Sequence, residues 1–161
     1  MASLGLPVLG VDVAETALTL AREKAHQRRL DTQFAVADAL HLERLGRRFK
    51  TVIDSGLFHT FNAEEQAKYA QSLASAAEPG ATLYVLCFSN EGPELRPHPV
   101  TRSALQAAFH IPHGWKILTI NPDRIHTRFH THGISAWLAT IQRVSSPSSA
   151  ATPAGQLKTG N

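Results

Sequence analysis

The chain alternates between short apolar, β-branched runs and longer stretches in which apolar residues recur every three or four positions. The first pattern predicts strands, at residues 7–13, 33–37, 50–53 and 82–88. The second predicts helices, at residues 14–28 and 63–77. Asn62 with Glu65 forms a capping-box pattern at the second helix, and Pro79-Gly80 predicts a turn before the most apolar strand. Strands alternating with helices indicate a parallel sheet with right-handed crossovers.

The C-terminal part follows a different order. Residues 89–100 are polar and contain prolines and glycine, which predicts a loop, and Thr101 predicts the cap of a short helix that runs through Phe109. Strands predicted at 115–120 and 134–144 flank a polar, histidine-rich segment, which favours an antiparallel hairpin. We therefore expect a domain over residues 1–144. The remaining Ser, Pro, Ala, Thr and Gly-rich residues, 145–161, predict a disordered tail without function.

Composition narrows the class of protein. A chain of 161 residues with 43% hydrophobic and 18% charged residues is typical of one globular domain. The net charge of +3 is scattered, so we expect no nucleic-acid partner. The single cysteine, Cys87, excludes an intrachain disulfide, and no apolar run approaches the about 18 residues of a membrane span. These features predict a cytoplasmic protein that has no membrane partner.

Three carboxylates follow predicted strands: Asp12, Asp38 and Asp54. In a wound parallel sheet, ligands lie outside the carboxyl ends of the strands. Each acid alone is as typical of a turn or a helix cap as of a ligand contact. Together they indicate a ligand site at one edge of the sheet.

Five segments, over residues 4–143, resemble the class I S-adenosylmethionine (SAM)-dependent methyltransferases of small-molecule type. They are Gly-Val-Asp-Val-Ala (10–14), Val-Ala-Asp-Ala (36–39), Thr-Val-Ile-Asp-Ser-Gly-Leu-Phe-His (51–59), Glu-Pro-Gly (78–80) and Leu-Tyr-Val-Leu (83–86). The resemblance implies an α/β fold, a Rossmann-like three-layer sandwich with a mostly parallel sheet and a C-terminal antiparallel hairpin. It also implies SAM as the cofactor and a small-molecule methyl acceptor.

The resemblance assigns cofactor contacts to the ends of the first two predicted strands. Asp12 would accept hydrogen bonds from both ribose hydroxyls of SAM, and Val13 would pack beside the adenine. Asp38 would accept a hydrogen bond from the adenine amino group, with Ala39 behind it.

The loop after the third predicted strand, formed by Asp54, Ser55 and Gly56, would pass under the methionine part of SAM and face the acceptor. His59 follows it and is the candidate catalytic base, with local packing or capping as the alternative. The aromatic residues around it, Phe58 and Phe61, are candidates for the acceptor pocket, although they also fit a plain core.

The chain departs from the family pattern at its start, because no first strand and no acid-x-Gly-x-Gly-x-Gly loop precede Gly10. We therefore expect an N-terminally truncated domain. The missing strand would lie between the strands that end at Asp12 and Asp54, and its absence leaves two apolar strand edges for possible self-association.

Three functional hypotheses follow. The first is a methyltransferase whose parent is longer and complete. The second is a catalytically silent remnant that serves as a binding or oligomerisation module. The third is an NAD-type nucleotide binder, because Gly-x-Asp before a helix also fits the ribose-binding acid of NAD domains. The closing hairpin and the segment at residues 54–59 favour the methyltransferase.

The histidine-rich segment raises the question of a metal site. His126, His130 and His132 share one face if residues 125–132 are extended, but Arg128 lies on the same face and repels a cation. We therefore expect a solvated hairpin face and no metal.

Overall fold

A computed structural model describes residues 1–94, 96–127 and 130–144, with the side chains of His130 and Thr131 outside the description. Nine helices and strands are present in this part, namely β1 (Leu9–Asp12), α1 (Glu15–Gln27), β2 (Gln33–Val36), β3 (Phe49–Ser55), α2 (Ala63–Ala76), β4 (Ala77–Phe88), α3 (Arg102–Ala108), β5 (Trp115–Thr127) and β6 (His130–Arg143). Short 3-10 turns lie between them, at Ala2–Leu4, Ala39–Leu45, Phe58–Thr60 and Ile111–His113. The predicted tail, 145–161, lies outside the described residues.

The strands form two sheets. In one, β1 pairs with β2 in parallel, and the other has the order β3-β4-β6-β5. β3 and β4 are parallel, whereas β4 with β6 and β6 with β5 are antiparallel. The predicted α/β class and terminal hairpin are confirmed, and the larger sheet is mixed. Within the described residues β1 does not pair with β3.

The strand β4 begins earlier than predicted. Ala77 pairs with Phe49, and the next registered pair is Thr82 with Thr51, so residues 78–81 bulge out of the ladder. Gly80 adopts a φ of 82°, which a residue with a Cβ rarely adopts. Pro79-Gly80 therefore makes a bulge inside the strand instead of a turn before it.

The hairpin of β5 and β6 is longer than predicted. Thr127 pairs with His130 and Ile125 pairs with Ile134, so the chain reverses between the two arms. The assumption of one extended run over 125–132 is wrong, because the histidines of this segment lie on both sides of the reversal. Arg128 and the His130 side chain lie outside the description. In the described part, no group of three or more His, Cys, Asp or Glu residues is placed to hold a metal ion.

The core lies on one face of the larger sheet. The alternation along β4 turns Leu83, Val85 and Cys87 into it, each with no exposed surface, whereas Tyr84 on the other face is 38% exposed. Burial raises the pKa of the Cys87 thiol to about 12, so this side chain serves as an apolar filler. No helix in the described ranges is long and apolar enough to cross a membrane.

Both tryptophans are core residues, and their indoles are hydrogen-bonded. Trp115 Nε1 donates to the carbonyl of Ala70 at 2.9 Å, and Trp137 Nε1 donates to the carbonyl of Val100 at 3.0 Å. Each indole therefore links the hairpin to a preceding segment of the chain. The guanidinium of Arg102 lies 4.0 Å from the ring centroid of Trp137 and covers it.

The predicted capping box is confirmed, and it generates a stability prediction. Asn62 Oδ1 accepts from the Glu65 N–H, and the Glu65 carboxylate accepts from the Asn62 N–H, both at 3.0 Å. We expect Asn62→Ala to lower the free energy of unfolding by about 1 kcal/mol, because the first turn of α2 then loses a side-chain acceptor. Urea unfolding followed by circular dichroism measures this. Asn62→Asp, which keeps an acceptor, is the control, and equal stability of the two variants would contradict the assignment.

Candidate active site

Parallel pairing of β1 with β2 brings two of the predicted carboxylates to one edge. Asp12 is registered with Val36, and the carbonyl of Asp12 accepts from the Ala37 N–H at 3.0 Å. Asp38 therefore lies two residues past the partner of Asp12, at the carboxyl end of the neighbouring strand. Both side chains are exposed.

Each of these carboxylates also caps its own turn. Asp12 Oδ1 accepts from the Ala14 N–H at 2.8 Å, and Asp38 Oδ1 accepts from the Leu40 N–H at 2.9 Å. The second oxygen of each makes no hydrogen bond to the described residues. Local capping thus fixes the orientation of each carboxylate and leaves one oxygen for a ligand, so the capping and ligand roles are compatible.

A cavity of about 260 Å³ lies beside Asp38, lined by Val36, Ala37, Asp38, His41, Arg44 and Leu45. Two neighbouring positions differ in exposure. Val13 is 66% exposed beyond the end of β1, whereas Ala39 is half-buried and packs against the core. A carboxylate, apolar side chains and an open cavity suit a nucleoside, which has hydroxyls and an amino group as donors and a flat apolar ring.

Asp54 differs from the other two acids because it is only 4% exposed. Its oxygens accept from the N–H groups of Leu57 at 2.8 Å and Phe58 at 3.0 Å, and the hydroxyl of Tyr69 also hydrogen-bonds to it. Burial raises the pKa of Asp54, and these three hydrogen bonds oppose that shift. The carboxylate is therefore committed to the turn after β3.

The two residues that follow Asp54 in this loop are less buried than Asp54 itself. Ser55 is exposed, and Gly56 has a φ of 93° that lets its N–H donate to the Leu86 carbonyl at 2.9 Å. Sequence reasoning missed Tyr69 as the partner of Asp54. Its helical spacing to Leu73 and Ala76, which are both buried, is the signal that could have placed it on the inner face of α2.

His59 is 8% exposed and lies against the end of β4. Its Nδ1 accepts from the Phe88 N–H at 3.3 Å, and its ring stacks on the Phe88 ring with centroids 4.2 Å apart. Burial lowers the pKa of His59, and the nearby charge of His98 lowers it further. The imidazole is thus neutral at neutral pH.

The two candidate pocket aromatics occupy different environments. Phe58 has no exposed surface, and its ring lies 5.4 Å from the ring of Phe109, so its assignment to the acceptor pocket is wrong and the core alternative holds. The reason is the Asp54 turn, which directs this side chain inward. Phe61 is half-buried against Tyr69, with ring centroids 5.1 Å apart, and keeps an outer surface.

A charged cluster that the sequence did not reveal holds the loop after β4. Glu94 accepts from Arg124 at 2.6 Å, from Arg96 at 3.1 Å and from the Ser135 hydroxyl at 2.9 Å. Hydrogen bonds from the Ser135 hydroxyl, from the backbone of Glu94 and from Arg124 lower the pKa of Glu94 to about 2. The cluster ties the loop to the hairpin beside a cavity of about 360 Å³, which is lined by Ser89, Glu91, Gly92, Pro122, Asp123, Arg124, Ser135, Ala136 and Trp137.

Comparison with known proteins identifies the family. The family described as methyltransferase domain matches residues 1–80. The chain is 36% identical over 130 residues to the 2-heptyl-1-hydroxyquinolin-4(1H)-one methyltransferase of Mycobacteroides abscessus, covering 78% of this chain and 56% of that protein. An uncharacterised methyltransferase of Schizosaccharomyces pombe is 30% identical over 89 residues, covering 55% of this chain and 61% of that protein. The chain thus spans little more than half of these relatives.

Solved structures agree. One, from work on the conversion of a disulfide bond into a thioacetal group during echinomycin biosynthesis, has a TM-score of 0.78 and 32% identity, covering 92% of this chain and 70% of that one. The magnesium protoporphyrin IX methyltransferase of Synechocystis PCC 6803 with bound SAM shares the fold, with a TM-score of 0.67 and 23% identity over 88% of this chain and 62% of that one. By its sequence and its fold, this chain belongs to the class I SAM-dependent methyltransferases.

Proposed function

We propose that the protein transfers a methyl group from SAM to an oxygen of a small, hydroxylated heteroaromatic molecule. The observation that carries this proposal is the position of Asp12 and Asp38 at adjacent carboxyl ends, each with an oxygen that no described residue hydrogen-bonds, and a cavity of about 260 Å³ beside Asp38. The acceptor class follows the 36% identical relative, which is named for a hydroxyquinolinone substrate. SAM, when bound, supplies a methyl group on a sulfonium sulfur.

In this proposal the first two strands hold the nucleoside. The two carboxylate oxygens of Asp12, one of which also accepts from the Ala14 N–H, accept hydrogen bonds from the two ribose hydroxyls. Val13 packs beside the adenine. Asp38 accepts from the adenine amino group, with Ala39 behind it. Neutral donors that meet a carboxylate form charge-assisted hydrogen bonds, which are stronger than neutral ones.

The β3–α2 connection supplies the acceptor side. Asp54 contributes by closing the turn, and Ser55 and Gly56 line the path of the methionine part. Phe61 and His59 border the acceptor. Displacement at a sulfonium methyl depends chiefly on alignment and on exclusion of water, so a rigid turn is what this chemistry requires.

We further propose that the protein acts in the cytoplasm, without nucleic acid, and that it self-associates through its open strand edges. Its scattered charge and single buried cysteine support the first two proposals. The third is supported by β1 and β3, which each pair on one side only within the described residues, and by exposed apolar side chains beside them: Val11 is 41% and Ile53 is 55% exposed.

The nucleoside assignment predicts the effect of one substitution on cofactor affinity. We expect Asp12→Ala to weaken SAM binding at least about tenfold, because a charge-assisted hydrogen bond contributes roughly 1.5–3 kcal/mol and about 1.4 kcal/mol is tenfold. Isothermal titration calorimetry of the 161-residue chain measures this. Asp31→Ala, which removes an exposed acid from the α1–β2 connection, is the control. Heat with NAD instead of SAM would support a nucleotide binder, and no heat with either would support a silent remnant.

The edge proposal predicts concentration-dependent self-association. We expect Ile53→Lys on β3 to shift the equilibrium to monomer, because a charge beside an open edge opposes strand pairing. Sedimentation velocity measures this. Leu20→Lys, at a 56% exposed position on the helix α1, is the matched control and should associate like the wild type. A wild-type chain that stays monomeric at every concentration would contradict the proposal.

A further inference from the structure

The hydrogen bond of His59 fills the place where the β3–β4 ladder stops. The last rung is the bond from the Gly56 N–H to the Leu86 carbonyl at 2.9 Å, after which the chain turns away at Gly56. On the other side, the Ser89 N–H donates to Ser135 of β6. Because N–H groups alternate in direction along a strand, the Phe88 N–H points toward the vacated β3 side, where His59 Nδ1 accepts it.

This bond determines which ring nitrogen carries the proton. A neutral imidazole has one N–H donor and one acceptor nitrogen. With its pKa lowered by burial, His59 is neutral, and its acceptor nitrogen is engaged by a buried backbone N–H. Turning the ring over would place carbon Cδ2 against this N–H and leave it without an acceptor, which is costly in a protein interior. The proton therefore lies on Nε2.

The Nε2–H is available to a ligand. It makes no hydrogen bond to the described residues, and every buried side-chain nitrogen and oxygen among them has a partner, so Nε2 reaches solvent although the residue is only 8% exposed. A Cβ placed on Gly56 would lie 3.5 Å from His59 Cε1, which puts this opening beside the loop that borders the acceptor. A nearly buried ring thus presents one donor at the candidate site.

We propose that His59 recognises the acceptor as a hydrogen-bond donor through Nε2–H, and that it selects acceptors whose attacking oxygen is already ionised. This inference rests on the proposed function and replaces the catalytic base suggested by the sequence, because the neutral ring has no free lone pair to take a proton. An oxygen lone pair forms the new C–O bond while the C–S bond breaks and its electron pair stays on sulfur. With an oxyanion no proton has to leave, and the remaining oxygen lone pairs accept from Nε2–H.

Two substitutions of His59 by amide side chains distinguish a role as hydrogen-bond donor from a role as general base and from a purely structural role. In His59→Gln the side-chain amide reaches the Nε2 position and donates there, whereas in His59→Asn it reaches the Nδ1 position and accepts from the Phe88 N–H. With 2-heptyl-1-hydroxyquinolin-4(1H)-one as the probe, we expect Gln to keep kcat/KM within about threefold and Asn to lose about tenfold or more, the loss of a hydrogen bond to a charged group. In wild type and Gln, the pH profile should follow ionisation of the acceptor alone. An equal loss of kcat/KM in both variants would identify His59 as a base, and a loss of kcat/KM in His59→Gln alone would identify a structural role. Either result overturns the proposal.

Nitrogen-15 NMR of the histidine rings supplies a readout that does not depend on turnover. We expect the His59 resonances, assigned by their absence in His59→Gln, to show the Nε2–H tautomer at neutral pH, and an Nδ1–H tautomer overturns the inference. If wild type binds SAM but methylates no probe, the proposed function fails while the inference is judged on the tautomer and on calorimetry of the ionised probe. Binding of the ionised probe that is retained by His59→Gln and lost by His59→Asn supports the inference. No binding of this probe to the wild type overturns the inference.

Discussion

The carboxylate of Asp54 organises the turn after β3, on which the proposed acceptor site depends. It is nearly buried, and it is stabilised there by two backbone N–H groups and the Tyr69 hydroxyl. A buried carboxylate without such donors would cost several kcal/mol, so the turn after β3 has to adopt the geometry that supplies them. This requirement couples the end of β3 to the inner face of α2.

The consequences of that turn extend along the next residues. Phe58 is directed into the core against Phe109, and His59 is directed against the end of β4, where it completes the hydrogen bonding of Phe88. Asn62 then starts α2 through its capping box. The core contact of Phe58, the hydrogen-bonded ring of His59 and the start of α2 therefore follow Asp54 in sequence order, and together they hold the His59 ring in a single orientation.

Much of the fold was predictable because its signals are local. Apolar patterning located the strands and the helices α1 and α2, and the caps at Asn62 and Thr101, which start α2 and α3, were read correctly from side chains that bond within three residues. The errors concern non-local pairing. Pro79-Gly80 became a bulge because Phe49 offers a partner to Ala77, and the histidine segment was split because β5 and β6 pair nearly to their ends.

By itself, the sequence determined the family, the order of elements and the three acids at strand ends, since these depend on residue types and on spacing along the chain. It did not determine what each acid does, because that depends on depth in the fold. Asp12 and Asp38 are exposed at the carboxyl ends of β1 and β2, and each has one oxygen without a hydrogen bond to the described residues, whereas Asp54 is buried against α2 and both its oxygens accept from the turn. Only the tertiary structure decided this, because burial and the supply of N–H donors come from segments that are distant in sequence. The same holds for His59, whose donor nitrogen is set by a backbone N–H 29 residues away.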